Sequence, residues 1–223
     1  MANSKIVIVE GPQGVGKTTI TDFLRHSMKY TNLYRLSGTS DSSKEGLKKS
    51  KVMYENLLNY MKTLENLNIN LLFDRTFFTE ENYCRLGFKD YSFTEVYNEL
   101  VQKLSELDFD IYYITLYLED ENLFEQRLKR DGKATVKYAK FEKESSVKQQ
   151  NTYLEMADEL AKKYPKIHVY KIENGKDLEK TKVELKKILE IKCWHNVKNV
   201  IYIIKICKGE FKCIIMRIYQ PPR

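Results

Sequence analysis

The sequence predicts an α/β fold in which a five-stranded parallel sheet is flanked by helices on both faces. Short apolar runs recur along the chain, and segments with apolar residues at helical spacing separate them. The first apolar run also ends in a glycine-rich loop that opens a helix. Strands that alternate with helices are typical of a parallel sheet, because each crossover between parallel strands needs room for a helix.

The first predicted strand is Ile6 to Val9, and the helix after the loop carries Ile20, Phe23 and Leu24 on one face. The other predicted strands are NLYRL (32–36), INLLFDR (69–75), IYYITLYL (111–118) and IHVYKI (167–172). The predicted helices cover about 44–67, the segment around 96–107, 121–133, a long polar stretch that ends near Lys163, and a closing segment through Leu189. In the helix at 44–67, the predicted apolar stripe is Val52, Met53, Leu57, Leu58, Met61 and Leu64.

The C-terminal stretch differs from the rest, and we predict two domains, 1–191 and 192–223. The run NVIYIIKICKGEFKCIIMRIY contains two strand-like segments about a Lys-Gly-Glu turn, which predicts a β-hairpin; a poorly ordered extension is the alternative. This tail has seven basic residues and one acid, whereas residues 1–191 have 31 basic and 30 acidic residues. The tail therefore carries +6 of the net charge of +7, so any contact with nucleic acid is expected there.

Composition narrows the class of protein. With 223 residues, 42% hydrophobic and 31% charged, the chain is long enough to bury a core without metals or disulfides. We expect no membrane span, because Lys205 interrupts the most apolar run. The first residues resemble a strand more than a signal peptide, so we expect a cytoplasmic protein.

A phosphate-binding loop is the most specific motif. Gly11, Gly16, Lys17 and Thr18 satisfy G-x-x-x-x-G-K-[ST], in which backbone amides surround phosphate oxygens and the lysine reaches the β and γ phosphates. Thr18 would hold Mg²⁺ through its hydroxyl. The predicted ATP-binding residues are Gly11, Pro12, Gln13, Gly14, Val15, Gly16, Lys17, Thr18 and Thr19.

Two further groups of residues suggest an acceptor site and a lid. Asp74 and Arg75 end a buried strand, where α/β sheets bind ligands, so Arg75 is expected to bind an anionic acceptor and Asp74 a hydroxyl or the Mg²⁺ shell. Arg127 and Arg130 lie three apart on one helical face, before Gly132 as a hinge, and would place cations over a migrating phosphoryl group. A structural ion pair and a solvated basic helix are the respective alternatives.

In order along the chain, these motifs resemble the thymidylate kinase family, which is related to the deoxynucleoside kinases. The matching signatures are EGPQGVGKTT, FDRTFFTEENY for the family pattern D-R-x-x-x-[ST]-x-x-x-Y, RLKRDG for its lid, and YPKIHVYKIENG for its last strand and adenine-side loop. The resemblance spans Lys5 to about Ile191. The run RLSGTSD (35–41) departs from the family's Arg-Glu-Pro-Gly-Gly-Thr but keeps Arg35, Gly38 and Thr39, which leaves the base preference open.

The resemblance implies a P-loop NTPase fold and phosphoryl transfer from Mg-ATP. It implies that Arg75 binds the phosphate of the acceptor and that Arg127 and Arg130 belong to the ATP lid. Together with the motifs, this gives Lys17, Arg75, Arg127 and Arg130 as predicted catalytic residues and Thr18 and Asp74 as predicted metal ligands. The implied acceptor site consists of Arg35, Asp74, Arg75, Thr79 and Tyr83. It also implies a homodimer.

Two acceptors and one different class remain open. A deoxynucleoside monophosphate needs no strong base, since its phosphate oxygen is already anionic. A deoxynucleoside needs a carboxylate near the second strand, and Asp41 and Glu45 are the nearest acids. The different class is a nucleotide-binding module that docks a partner through the tail.

Overall fold

The computed structural model describes residues 4–130 and 142–191 in full, and the backbone of 200–207 and 210–217. Five parallel strands form one sheet in the order β2-β3-β1-β4-β5. These strands are β1 (Lys5–Glu10), β2 (Thr31–Arg35), β3 (Asn70–Asp74), β4 (Asp110–Tyr117) and β5 (Ile167–Glu173). All five correspond to predicted strands, and the predicted α/β class is confirmed.

Seven helices are present in the described ranges. They are α1 (Lys17–Ser27), α2 (Lys44–Thr63), α3 (Phe77–Arg85), α4 (Thr94–Ser105), α5 (Asn122–Arg130), α6 (Lys143–Lys163) and α7 (Leu178–Ile188). The short α3 was not predicted as a helix. Among these helices, none combines the length and the apolar composition that a bilayer crossing requires.

The central strand β1 explains where the core lies. Ile6, Val7, Ile8 and Val9 are all fully buried, so both faces of the strand are covered. An uninterrupted apolar run is the sequence pattern of such a strand. Helix α3 is anchored in the same core by Phe77 and Phe78, which have no exposed surface. The Phe78 ring centroid lies 4.4 Å from that of Tyr113 on β4, which holds the start of α3 against the sheet.

The stripe predicted for α2 is partly wrong. Leu58 and Met61 are buried as predicted, but Val52 and Met53 are 51% and 40% exposed. The helix buries Ser50 and Tyr54 in their place. Val52 and Met53 fit the helical spacing of the apolar residues. That spacing does not show which edge of the apolar stripe packs against the core.

The order of the strands fixes where a ligand can bind. The chain leaves β1 towards β2 on one side of the sheet and leaves β3 towards β4 on the other. The switch point therefore lies between the adjacent strands β1 and β3, at their carboxyl ends, which is where open α/β sheets bind ligands. The glycine-rich loop follows β1 there, and Arg75 follows β3.

The chain divides into two compact units, Met1–Leu185 and Lys186–Arg223. In the second unit, β6 (Val200–Cys207) and β7 (Glu210–Arg217) pair antiparallel from Val200 opposite Arg217 to Cys207 opposite Glu210. This backbone pairing agrees with the predicted β-hairpin. The predicted turn residues Lys208 and Gly209, and the predicted hinge Gly132, lie outside the described residues. The predicted domain boundary after Ile191 stays a prediction.

Candidate active site

A cleft of about 460 Å³ lies at the switch point. It is lined by Gln13, Gly14, Gly16, Lys17, Thr18, Thr19, Arg35, Leu36, Asp74, Arg75 and Arg130. Residues far apart in the sequence thus meet in one space, because the carboxyl ends of parallel strands share an edge of the sheet.

The glycine-rich loop has the geometry of a phosphate cradle. Gly11 and Gly16 have φ angles of 141° and 95°, in the region that L side chains rarely adopt. A Cβ atom at Gly11 would lie 2.6 Å from the carbonyl oxygen of Leu116, and one at Gly16 would lie 2.6 Å from Asn174 Nδ2. Helix α1 begins at Lys17, directly after the loop, so its positive dipole end faces the same space.

Lys17 is held at this loop by backbone carbonyls. Its Nζ donates to the carbonyl oxygens of Gly11 at 2.8 Å and Pro12 at 2.7 Å, and the side chain is largely buried. The geometry of the loop fits the phosphates of ATP, with the ammonium placed beside them. The loop fits phosphate because Gly11 and Gly16 have no Cβ atoms and because Lys17 supplies a positive charge.

Asp74 lies opposite α1 and is almost fully buried. Its Oδ2 lies 3.5 Å from Thr18 Oγ1 and 3.5 Å from Thr21 Oγ1. A hydroxyl and a carboxylate are oxygen ligands of the kind that Mg²⁺ takes beside substrate phosphates. Thr18 and Asp74 therefore fit a magnesium site at the cleft, where the ion would neutralise phosphate charge.

Arg75 occupies an unusual backbone position at the end of β3. Its φ angle is 75°, in the left-handed region. The guanidinium Nη1 donates to the hydroxyl of Tyr83 at 3.1 Å, and Gln13 Nε2 lies 3.4 Å from the same hydroxyl. Tyr83 therefore connects the arginine after β3 to the phosphate loop after β1.

Arg35 borders the cleft from β2. Its Nη2 donates to Asp22 at 2.5 Å, and its Nε lies 3.7 Å from Asp74 Oδ2. The guanidinium of Arg35 thus lies between Asp22 on α1 and Asp74 at the end of β3. Arg35, Asp74 and Arg75 line the same cleft, and their predicted role in acceptor binding stays a prediction.

The two lid arginines have different surroundings. Arg127 donates to the carbonyl oxygens of Val15 at 2.9 Å, Asn174 at 2.9 Å and Gly175 at 2.7 Å. Arg130 instead is exposed and lines the cleft. Arg127 thus links the phosphate loop to the loop after β5. The predicted catalytic roles of Arg127 and Arg130 stay predictions.

Thr79 is fully buried in α3 rather than at the surface of the cleft. Its hydroxyl donates to Glu10 Oε2 at 2.8 Å and shares a 2.9 Å hydrogen bond with Tyr153. The predicted contact of Thr79 with an acceptor stays a prediction.

Sequence reasoning missed three groups that surround the site. Glu10 is a fully buried acid at the end of β1, and Glu80 is a buried acid in α3 that pairs with Lys89 at 3.2 Å. Asn174 donates to the carbonyl oxygen of Val15 at 2.7 Å. In the sequence, the only sign that Glu10 has a special role is that it is an acid at the end of an apolar strand. Asn174 binds Val15 across 159 residues, and Glu80 binds Lys89 from beyond the end of α3, so helical or strand periodicity does not reveal either partner.

The five-stranded parallel sheet, with its glycine-rich loop after β1, has a fold that is similar to those of solved kinases. Solved structures with this fold include thymidylate kinase from Candida albicans, at 17% identity and a TM-score of 0.59, covering 85% of this chain and 92% of that one. Another is deoxyadenosine kinase from M. mycoides with the products dCMP and dCDP, at 18% identity and a TM-score of 0.53, covering 83% and 100%. The same enzyme with bound dCTP gives 17% identity and a TM-score of 0.51, covering 84% and 100%.

Comparison of the sequence with protein-family models and with curated proteins gave no match. The solved structures confirm the fold that the resemblance implied. At 17–18% identity, these structures do not show which substrate this protein takes.

Proposed function

We propose that the protein transfers the γ-phosphoryl group of Mg-ATP to a deoxynucleoside monophosphate, dTMP or a similar nucleotide. One observation supports this most directly. Among the described residues that line the cleft, four are cationic, Lys17, Arg35, Arg75 and Arg130, and one is acidic, Asp74. The phosphate loop accounts for Lys17, and the arginines across from it suit a second anion.

In this reaction the residues of the chain act mainly by position and charge. Lys17 and the loop amides would hold the phosphates of ATP, and Thr18 and Asp74 would hold Mg²⁺, which neutralises charge when bound. Arg75, fixed by Tyr83, would hold the acceptor phosphate in line with the γ phosphate. Arg130 would cover the migrating group from the end of α5.

The acids weighed for a nucleoside acceptor are poorly suited to take a proton. Asp41 accepts hydrogen bonds from Lys49 at 2.5 Å and from Ser43, and these hold the pKa of its carboxyl well below the ordinary value. Glu45 is exposed at the start of α2. A carboxylate with a very low pKa is a weak general base, and this favours a monophosphate acceptor.

A deoxynucleoside kinase is the second candidate, because deoxyadenosine kinase has the same fold and Asp74 lies in the cleft. Replacement of Asp74 separates the two. If Asp74 holds only the metal shell, Asp74→Asn should be rescued in part by raised Mg²⁺. If Asp74 is the base for a 5′-hydroxyl, added Mg²⁺ should not help.

The first experiment measures ADP release from Mg-ATP with deoxynucleosides and their monophosphates side by side, with Lys17→Ala as the blank. Turnover with a monophosphate supports the proposal and names the base. Turnover with nucleosides only overturns it in favour of the second candidate.

A second experiment compares Arg75→Ala with Arg25→Ala, an exposed arginine on α1 that does not line the cleft. We expect Arg75→Ala to raise the KM for the acceptor roughly 30-fold or more, since it removes a charged partner of the phosphate, and to change the KM for ATP little. Arg25→Ala should change neither. Equal losses of acceptor and ATP affinity would contradict the assignment of Arg75.

A further inference from the structure

Glu10 is a fully buried acid that the phosphate-loop motif does not include. Its Oε1 accepts a hydrogen bond from the backbone N–H of Thr76 at 2.6 Å and another from Thr76 Oγ1 at 3.1 Å. Its Oε2 accepts from Thr79 Oγ1 at 2.8 Å. Because Thr79 has one hydroxyl proton, the hydroxyl of Tyr153 must donate in the bond that it shares with Thr79.

These bonds hold the backbone on both sides of Arg75. The N–H of Arg75 donates to the carbonyl oxygen of Val9 at 3.2 Å, and the N–H of Thr76 donates to Glu10. The two peptide units that set the φ and ψ angles of Arg75 are therefore both bound to the end of β1. A non-glycine residue at φ 75° is strained and persists only where its surroundings fix it.

We infer that Glu10 is a positioning residue for Arg75: its carboxylate binds the peptide that follows Arg75, which keeps the guanidinium directed to the cleft. This inference rests on the proposed function for what Arg75 binds. Glu10 also directly precedes Gly11. One residue therefore connects the phosphate loop to the turn at Asp74, Arg75 and Thr76, which we call the Arg75 corner.

The charge of Glu10 gives the inference a distinctive readout. Burial raises the pKa of Glu10 to about 7, against the hydrogen bonds from Thr79 and Thr76 and the positive charges of Arg75 and Lys17. The other titratable groups that interact with it are the phenols of Tyr54, Tyr113 and Tyr153, whose pKa values burial raises, so they stay neutral. The ionised carboxylate accepts charge-assisted hydrogen bonds from Thr76 and Thr79, and these bonds weaken when the carboxyl takes up a proton or is replaced by an amide. The corner should therefore loosen as the pH falls through 7.

Equilibrium binding of dTMP and of ADP, measured by calorimetry from pH 6 to 8.5, tests this. At pH 8 we expect Glu10→Gln to weaken dTMP about tenfold and ADP by less than about twofold. On an Arg75→Ala background, Glu10→Gln should add no further loss, because it acts through that arginine. Independent losses, or equal weakening of dTMP and ADP, would overturn the inference.

Tyr153→Phe is the matched control. It removes the hydroxyl that binds Thr79 but leaves both bonds between Glu10 and Thr76. We expect it to keep dTMP affinity within about twofold of the wild type. A loss as large as that of Glu10→Gln would mean that general loosening of the buried network, and not the Arg75 corner, is responsible.

The wild-type protein provides a second test that does not depend on acceptor binding. The Nε–H signal of Arg75, assigned by comparison with Arg75→Lys in ¹⁵N-arginine NMR spectra, should shift with an inflection near pH 7. Glu10→Gln, where it folds, should lose that inflection. A signal without the inflection overturns the positioning role. An inflection without dTMP binding supports it and instead contradicts the proposed acceptor.

Discussion

The guanidinium of Arg75 donates to the hydroxyl of Tyr83 at 3.1 Å, eight residues further along the chain. The same hydroxyl lies 3.4 Å from Gln13 of the phosphate loop. The aspartate-arginine motif and the phosphate loop are thus joined through one phenol. The spacing of Arg75 and Tyr83 in the sequence therefore has a structural reason, because α3 turns back over the corner that Arg75 forms.

Tyr83→Phe removes that hydroxyl and keeps the ring. We expect the KM for the acceptor to rise by roughly three- to tenfold, since Arg75 loses one of its fixing bonds, and the free energy of unfolding to fall by about 1 kcal/mol. Steady-state kinetics and urea unfolding measure the two effects. Tyr60→Phe, which removes an exposed hydroxyl bonded to Tyr34, is the control and should leave the KM unchanged. An unchanged KM in Tyr83→Phe would show that Arg75 does not depend on Tyr83.

The raised pKa of Glu10 predicts how stability depends on pH. The carboxyl has an ordinary pKa of 4.5 when unfolded and about 7 when folded, so between these values the folded state binds more protons. Stability should therefore fall as the pH rises from 4.5 to 7, by up to about 1.4 kcal/mol per pH unit, and the contribution of Glu10 should be constant above that range.

Urea unfolding of the wild type and Glu10→Gln at pH 5, 6, 7 and 8 isolates this contribution. The free energy of unfolding of the wild type, relative to the variant, should decline across the first three values. A difference that is constant or increases with pH would show that Glu10 has an ordinary or lowered pKa in the folded protein.

Arg127 and Arg130 should respond differently to the same substitution. Arg127→Ala removes three hydrogen bonds to backbone carbonyls, which should lower the free energy of unfolding by about 2 kcal/mol and weaken ATP binding. Arg130→Ala changes an exposed side chain in the cleft, so stability should change by less than about 0.5 kcal/mol while kcat falls. Urea unfolding and kinetics on both variants check this. Equal effects on kcat with no loss of stability would place both arginines over the phosphates.

The buried pair of Glu80 and Lys89 should stabilise the loop after β2. Glu80 Oε2 accepts from the N–H of Thr39 at 3.1 Å, Lys89 donates to the carbonyl oxygen of Thr39, and Tyr91 donates to Glu80 Oε1 at 2.5 Å. Lys89→Met leaves a buried carboxylate with fewer partners, so we expect a loss of about 3–5 kcal/mol in the free energy of unfolding.

The double variant Glu80→Gln with Lys89→Met should recover part of that loss, since it removes the buried charge. Lys49→Met, which breaks the exposed pair with Asp41, serves as the surface control and should cost much less. Additive losses in the double variant would show that Glu80 and Lys89 do not depend on each other. The acceptor KM of these variants also reports whether the Thr39 loop borders the substrate.

The sequence by itself determined the strands, the phosphate loop and the corner at Asp74 and Arg75. These features depend on local patterns: an uninterrupted apolar run, glycines at fixed spacing, and charges where a buried strand ends. The parallel topology then follows, because strands that alternate with helices place their carboxyl ends at one edge. The meeting of Lys17, Asp74 and Arg75 could therefore be predicted without coordinates.

Only the tertiary structure decided which neighbour each side chain meets. Glu10 binds Thr76 across 66 residues, and Arg127 binds the carbonyl of Val15 across 112. Val52 and Met53 fit a helical period but lie outside the core. Periodicity reports which face of an element is apolar, whereas packing decides what lies against that face. A buried acid or an arginine directed at backbone carbonyls thus acquires its role from partners that no local pattern specifies.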